Sequence, residues 1–107
     1  MPLNNPVSVT VSASTSGTAT PTTVAVPANI ANAAVLAAAN ANRKGLTLWN
    51  NSTGNVLIEL GAAPTSTTYT AKINPGGYYE LPFGYTGQIQ GLWDAAGGTG
   101  VLVREFT

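Results

Sequence analysis

Gly45-Leu46-Thr47-Leu48-Trp49-Asn50-Asn51-Ser52-Thr53-Gly54-Asn55-Val56-Leu57-Ile58-Glu59-Leu60 is the stretch that decides the fold class. Leu46 and Leu48 alternate with Thr47 and Trp49; Val56, Ile58 and Leu60 alternate with Leu57 and Glu59. A period of two marks a strand that buries one face, because successive side chains point to opposite sides. Asn50 to Asn55 lies between the two runs and is made of turn formers. The stretch reads as two strands joined in a hairpin.

Toward the C-terminus the texture repeats. Gly61 to Ser66 is a loop, after which Tyr69, Ala71 and Ile73 alternate with Thr68, Thr70 and Lys72. Asn74-Pro75-Gly76-Gly77 is a strong turn: Pro75 presets φ, and Gly76 tolerates the positive φ of a type II turn. It reads as the tip of a hairpin between Thr67–Ile73 and Tyr78–Leu81. Pro82 to Gly87 is a corner. Gln88–Trp93 and Val101–Phe106 flank the turn Asp94 to Gly100 as a final hairpin. Short strands at such spacing predict an all-β sandwich or barrel.

Toward the N-terminus the signal weakens. Ala28 to Asn42 holds many Ala, the best helix former, but is broken by Asn29, Asn32, Asn40 and Asn42. It reads as extended, with one short helix as the alternative. Residues 1–27 carry no charge and read as an extended N-terminal arm, leaving 28–107 as the sandwich. Within the arm Val7, Val9, Val11 and Ala13 alternate with Ser8, Thr10 and Ser12, the pattern of a strand with one apolar face. Ser14 to Pro21 is a small polar linker, and Thr22 to Val26 a second short strand. Pro2, Pro6, Pro21 and Pro27 disfavour helix throughout. The arm is a solvated tail or a segment that orders on a partner.

Composition narrows function. Of 107 residues four are Lys or Arg and four Asp or Glu, so 7% are charged and the net charge is zero. Ordinary soluble domains are about 25% charged. The low share argues against nucleic acid, whose phosphates need several clustered cations, and against an anionic membrane surface. The longest wholly apolar run, Ala33 to Ala39, is far short of the roughly 20 residues of a spanning helix. The start lacks a signal peptide's basic and apolar regions, so the chain reads as soluble and made in a cytoplasm.

Chemistry-bearing constellations are missing. The chain has no His and no Cys, which removes the usual general base and the preferred zinc ligands. Glu59, Glu80, Asp94 and Glu105 sit on separate elements without calcium-loop spacing. They read as solvated or ion-paired acids, with Arg43 and Arg104 as partners, ahead of a glycosidase pair or a hydrolase using Asp94 and Glu80. Gly97-Gly98-Thr99-Gly100 lacks the Lys and the following helix of a phosphate loop. The reading is therefore of a binding protein and not an enzyme, with no cofactor and no metal. Among the aromatics, Trp49 falls out of phase with Leu46 and Leu48, so it points away from the core or covers a second core layer.

Asn42-Arg43-Lys44-Gly45-Leu46-Thr47-Leu48-Trp49-Asn50-Asn51-Ser52 resembles a pattern common in small bacteriophage virion proteins. The order and spacing continue through Ile58-Glu59-Leu60-Gly61, Tyr69-Thr70, Pro75-Gly76-Gly77-Tyr78-Tyr79-Glu80-Leu81, Tyr85 to Trp93 and Gly100 to Glu105. The resemblance covers about residues 40 to 107. It implies a small antiparallel β-sandwich, jelly-roll-like or Ig-like, located in the virion. It also implies a head decoration (cement) subunit that binds the major capsid protein and copies of itself as a trimer or dimer. Its expected contacts are Val7, Val9 and Val11 in the arm and Trp49, Tyr79 and Trp93 on the domain. The alternative is a neck, tail or fibre accessory protein that stacks sugars on Trp49, Tyr79 and Trp93.

Overall fold

The computed structural model describes residues 17–107; Val7, Val9 and Val11 lie outside the described residues. Eight strands follow in order: β1 Ala19–Val24, β2 Ala34–Ala37, β3 Gly45–Ser52, β4 Val56–Leu60, β5 Ala71–Ile73, β6 Tyr78–Glu80, β7 Ile89–Trp93 and β8 Gly98–Phe106. They form two antiparallel four-stranded sheets, ordered β1-β8-β3-β6 and β2-β7-β4-β5. The described chain is an all-β sandwich, as the alternating patterns predict.

The strand order has a simple logic. β1 pairs with β8, β2 with β7, β3 with β6 and β4 with β5. That is one long ribbon of two antiparallel chains, folded over so that β8 also meets β3 and β7 meets β4. Eight strands in two such sheets make a jelly roll. In this path every connection but one carries the chain from one sheet to the other; only β4 to β5 stays within a sheet.

The three expected hairpins are therefore corrected. β3 and β4 lie in different sheets, as do β5 and β6, and β7 and β8. Side-chain period reveals strands and their buried faces, but not which neighbour each strand bonds. Nor does residue 27 divide arm from sandwich, since β1 pairs with β8 along its whole length, from Ala19 opposite Phe106 to Val24 opposite Val101. Ala28 to Asn42 is not helical: a turn at residues 30–32 precedes β2. Asn29 makes it locally, its side-chain Oδ1 accepting from Ala31 N at 3.0 Å and its carbonyl from Asn32 N at 3.1 Å.

The core lies between the sheets. Leu46, Leu48, Val101 and Val103 from one sheet meet Leu36, Val56, Ile58, Ile73, Ile89 and Trp93 from the other. β3 shows the alternation at its clearest. Leu46, Leu48, Asn50 and Ser52 are buried, while Thr47 is half-buried and Trp49 and Asn51 are exposed.

Candidate binding interface

The jelly roll leaves two outer faces, and they differ. On the β2-β7-β4-β5 sheet, Leu57 is buried although it stands outside the core cluster. Its cross-strand partner Leu92 is half-buried. The long β4–β5 connection brings Pro64, itself buried, to a depression shared with Ile30, Leu92 and Trp93. Loops shelter that face around Leu92, and Val35 of β2 is its exposed apolar residue.

The outer face of the β1-β8-β3-β6 sheet has no such cover. Register places Tyr78, Trp49, Leu102 and Thr23 in one cross-strand row, and Glu80, Thr47, Arg104 and Pro21 in the next. Trp49 and Tyr78 are each 48% exposed. Their ring centroids are 4.7 Å apart with the planes tilted by 53°. With Thr47, Leu102, Arg104 and Phe106 they line a depression of about 300 Å³. Aromatic rings supported by a rigid sheet, beside an exposed guanidinium, are the residue types that anchor protein contacts.

The expected contact residues do not share this face. Trp49 is on it. Tyr79 points inward, half-buried against the core, and burial raises its phenol above the usual 10.0. Trp93 is 2% exposed and donates its indole N–H to Ser52 Oγ at 3.0 Å. The structure thus assembles no sugar platform from Trp49, Tyr79 and Trp93. Tyr78 takes the place beside Trp49. The signal for it was available: in a strand of period two, Tyr78 and Tyr79 must point to opposite faces, and the inward position beside the core belongs to Tyr79.

The acids are placed apart. Glu105 pairs with Arg43 Nε at 2.7 Å. Glu59 accepts from the Thr70 hydroxyl. Asp94 accepts from Asn55 N and Nδ2, both at 2.8 Å, and these bonds hold its carboxyl below the ordinary 3.8. Glu80 is exposed on the aromatic face, whereas Asp94 sits in the turn after β7 of the other sheet. Among the described residues no three of His, Cys, Asp and Glu gather into a group that could hold a metal ion.

Fold and surface together define a small jelly-roll module with one bare aromatic face. Comparison with protein-family models, with curated proteins and with solved structures finds no match to this chain.

Proposed function

We propose that this chain is a bacteriophage virion protein, a head decoration (cement) subunit that stabilises the capsid lattice through many equivalent contacts. The Trp49–Tyr78 pair, half-exposed on an ordered sheet face, is the observation that carries a binding role. The resemblance of residues 40 to 107 to small virion proteins supplies the phage setting. Low charge suits the same role, since hydroxyl and amide groups enter a contact at less desolvation cost than ions. Binding at many lattice points sums modest contacts into particle stability, and the major capsid protein is the proposed partner.

The experiment is a binding assay on empty heads with Trp49→Ala and Tyr78→Ala, alongside counting the subunit in purified virions. Reduced binding by folded variants and a copy number in the hundreds support decoration. A few copies per particle rule it out and favour the neck, tail or fibre. The second reading, a sugar contact by the same two aromatics, is weaker: rings tilted by 53° do not offer one flat surface for consecutive sugar rings.

A further inference from the structure

Four strand edges border the two sheets: β1 and β6 on one, β2 and β5 on the other. Open edges invite pairing with another chain, and proteins blunt them with proline, bulges or lysine. β1 is blunted at its middle. Thr18 and Thr107 exchange backbone bonds at 3.1 and 3.0 Å, so by alternation Ala19, Pro21 and Thr23 face the open side, and Pro21 has no N–H to offer. β2 carries an irregularity between Val35 and Ala37. β5 exposes Lys72 at its centre.

β6 has no proline, bulge or lysine; its one charge, Glu80, stands at its end. Leu81 N bonds Leu46 O at 2.9 Å and Asn50 N bonds Gly77 O at 2.9 Å. Alternation then turns Tyr79 toward β3 and directs the N–H and C=O of Tyr78 and Glu80 outward. The side chains on this edge continue the aromatic row to Trp49. An incoming strand would gain ladder hydrogen bonds and an apolar face at once.

The sixteen residues before Gly17 contain a segment of matching chemistry. Residues 7–13 alternate Val or Ala with Ser or Thr and carry no charge, so nothing repels Glu80. We infer that residues 7–13 of a second copy of this chain add as a strand to the β6 edge. Val7, Val9 and Val11 then lie beside Tyr78 and Trp49. Reach decides between copies. A strand outside β6 lies four strand spacings, about 19 Å, from β1. Ala13 to Gly17 spans at most about 14 Å. With Ala13 held in that strand the same chain's segment falls short, so a strand made of the whole of residues 7–13 comes from a neighbour. This deepens the self-contact of the proposed virion subunit, yet it stands or falls on the free protein without any capsid.

The test compares the full chain with a variant lacking residues 2–16, which keeps all of β1. Because Trp93 is buried, acrylamide quenching reads Trp49. The full chain should form oligomers in sedimentation and protect Trp49 as concentration rises. The deletion, and Val9→Lys, should leave a folded monomer with Trp49 open, while Thr10→Lys on the opposite face should not. A peptide of residues 5–15 should restore protection to the deletion variant. Oligomers that persist in the deletion, oligomers that leave Trp49 open, or protection independent of concentration would each overturn the inference. So would a Trp49 that is shielded only when polysaccharide is added. Failure to bind heads with these results intact would sink the decoration role alone.

Discussion

The two ends of β3 are held by different chemistry. Ahead of the strand, Arg43 is buried with its side chain fully enclosed. It donates to Glu105 Oε2 at 2.7 Å, Ala38 O at 2.6 Å, Gly87 O at 2.8 Å and Tyr85 O at 3.3 Å. Near the far end, Asn50 is fully buried and neutral. Its Nδ2 donates to Gly54 O at 2.9 Å and Ile73 O at 2.8 Å, and its Oδ1 accepts from Ser52 N at 3.0 Å. Its backbone also holds the turn at Gly76 and Gly77. Each end is where chain crosses between the sheets, and a crossing leaves carbonyls without ladder partners that must be bonded when buried. One planar cation gathers three loop carbonyls; an amide with help from Ser52 does the same work without charge.

The charged end should be the easier to break. Arg43→Ala leaves three carbonyls without a donor and Glu105 without its cation; Glu105 is partly exposed and keeps the Asn40 amide, so the loss should lie near the low end of the about 3–5 kcal/mol for breaking a buried pair. Arg43→Lys should recover only part of this, because an ammonium lacks the planar fork that reaches several acceptors. An apolar pair, Arg43→Leu with Glu105→Leu, should remain destabilised, since the carbonyls of Ala38, Tyr85 and Gly87 stay unbonded. Urea unfolding of the three variants checks the order; a double variant as stable as wild type would show that the ion pair alone matters.

At the neutral end, Asn50→Ala strips its donor from the carbonyl of Ile73, leaves Gly54 O to the Ser52 hydroxyl alone, and removes the amide that anchors the same hydroxyl beside Trp93. Each buried group left unbonded costs about 1–3 kcal/mol, so a loss in that range is expected, somewhat below Arg43→Ala. Trp93 fluorescence should shift in the same variant, because its indole N–H bonds Ser52. An unchanged Trp93 signal would disconnect the indole from this network.

This contrast also explains what was legible in the sequence. The alternation of Leu46 and Leu48, and of Val56 and Ile58, correctly marks buried faces, and the all-β class follows from it. Asn50 to Asn55 looked like the tip of a hairpin because Asn and Gly favour turns. Instead β3 runs on to Ser52, with Asn50 and Ser52 turned inward as bonded polar groups. Gly54 then passes so close to Ala95 that a Cβ would lie 2.6 Å from its carbonyl oxygen. A turn-forming residue announces a change of direction but not its destination. The site was legible at Trp49, whose phase set it apart. Trp93 misled because its place at a strand end gave no sign of the hydroxyl waiting inside.

The Asn74–Gly77 turn belongs to the neutral end and offers a smaller effect. Gly77 N bonds Asn74 O at 2.7 Å and Gly76 has φ +79°, so the type II geometry read from the sequence stands although the hairpin does not. Nothing lies within 4 Å of a Cβ at Gly76. Any penalty for Gly76→Val is therefore backbone strain and not a clash, about 1–3 kcal/mol. Gly76→Asn should cost less, since Asn tolerates the left-handed region. Equal melting temperatures for wild type and the Val variant would remove strain from the account of this end.

The smallest effect should come from the exposed clasp beside the same end, where Asp94 accepts from Asn55 N and Nδ2. The side-chain bond from Asn55 is the main cause of its lowered pKa, with a smaller contribution from Lys72. A carboxyl whose pKa is lower folded than unfolded adds stability above its unfolded pKa. That addition is lost as pH falls through the folded value. The loss should therefore begin near the ordinary 3.8 and finish below it. Because Asp94 is exposed, water screens the interaction and the change should be slight. Asp94→Asn cannot titrate, so its melting temperature should fall less than wild type between pH 6 and pH 2. Parallel pH profiles for the two proteins would show that the Asn55 bonds contribute nothing to folding, and that the neutral end is closed by Asn50 and Ser52 alone.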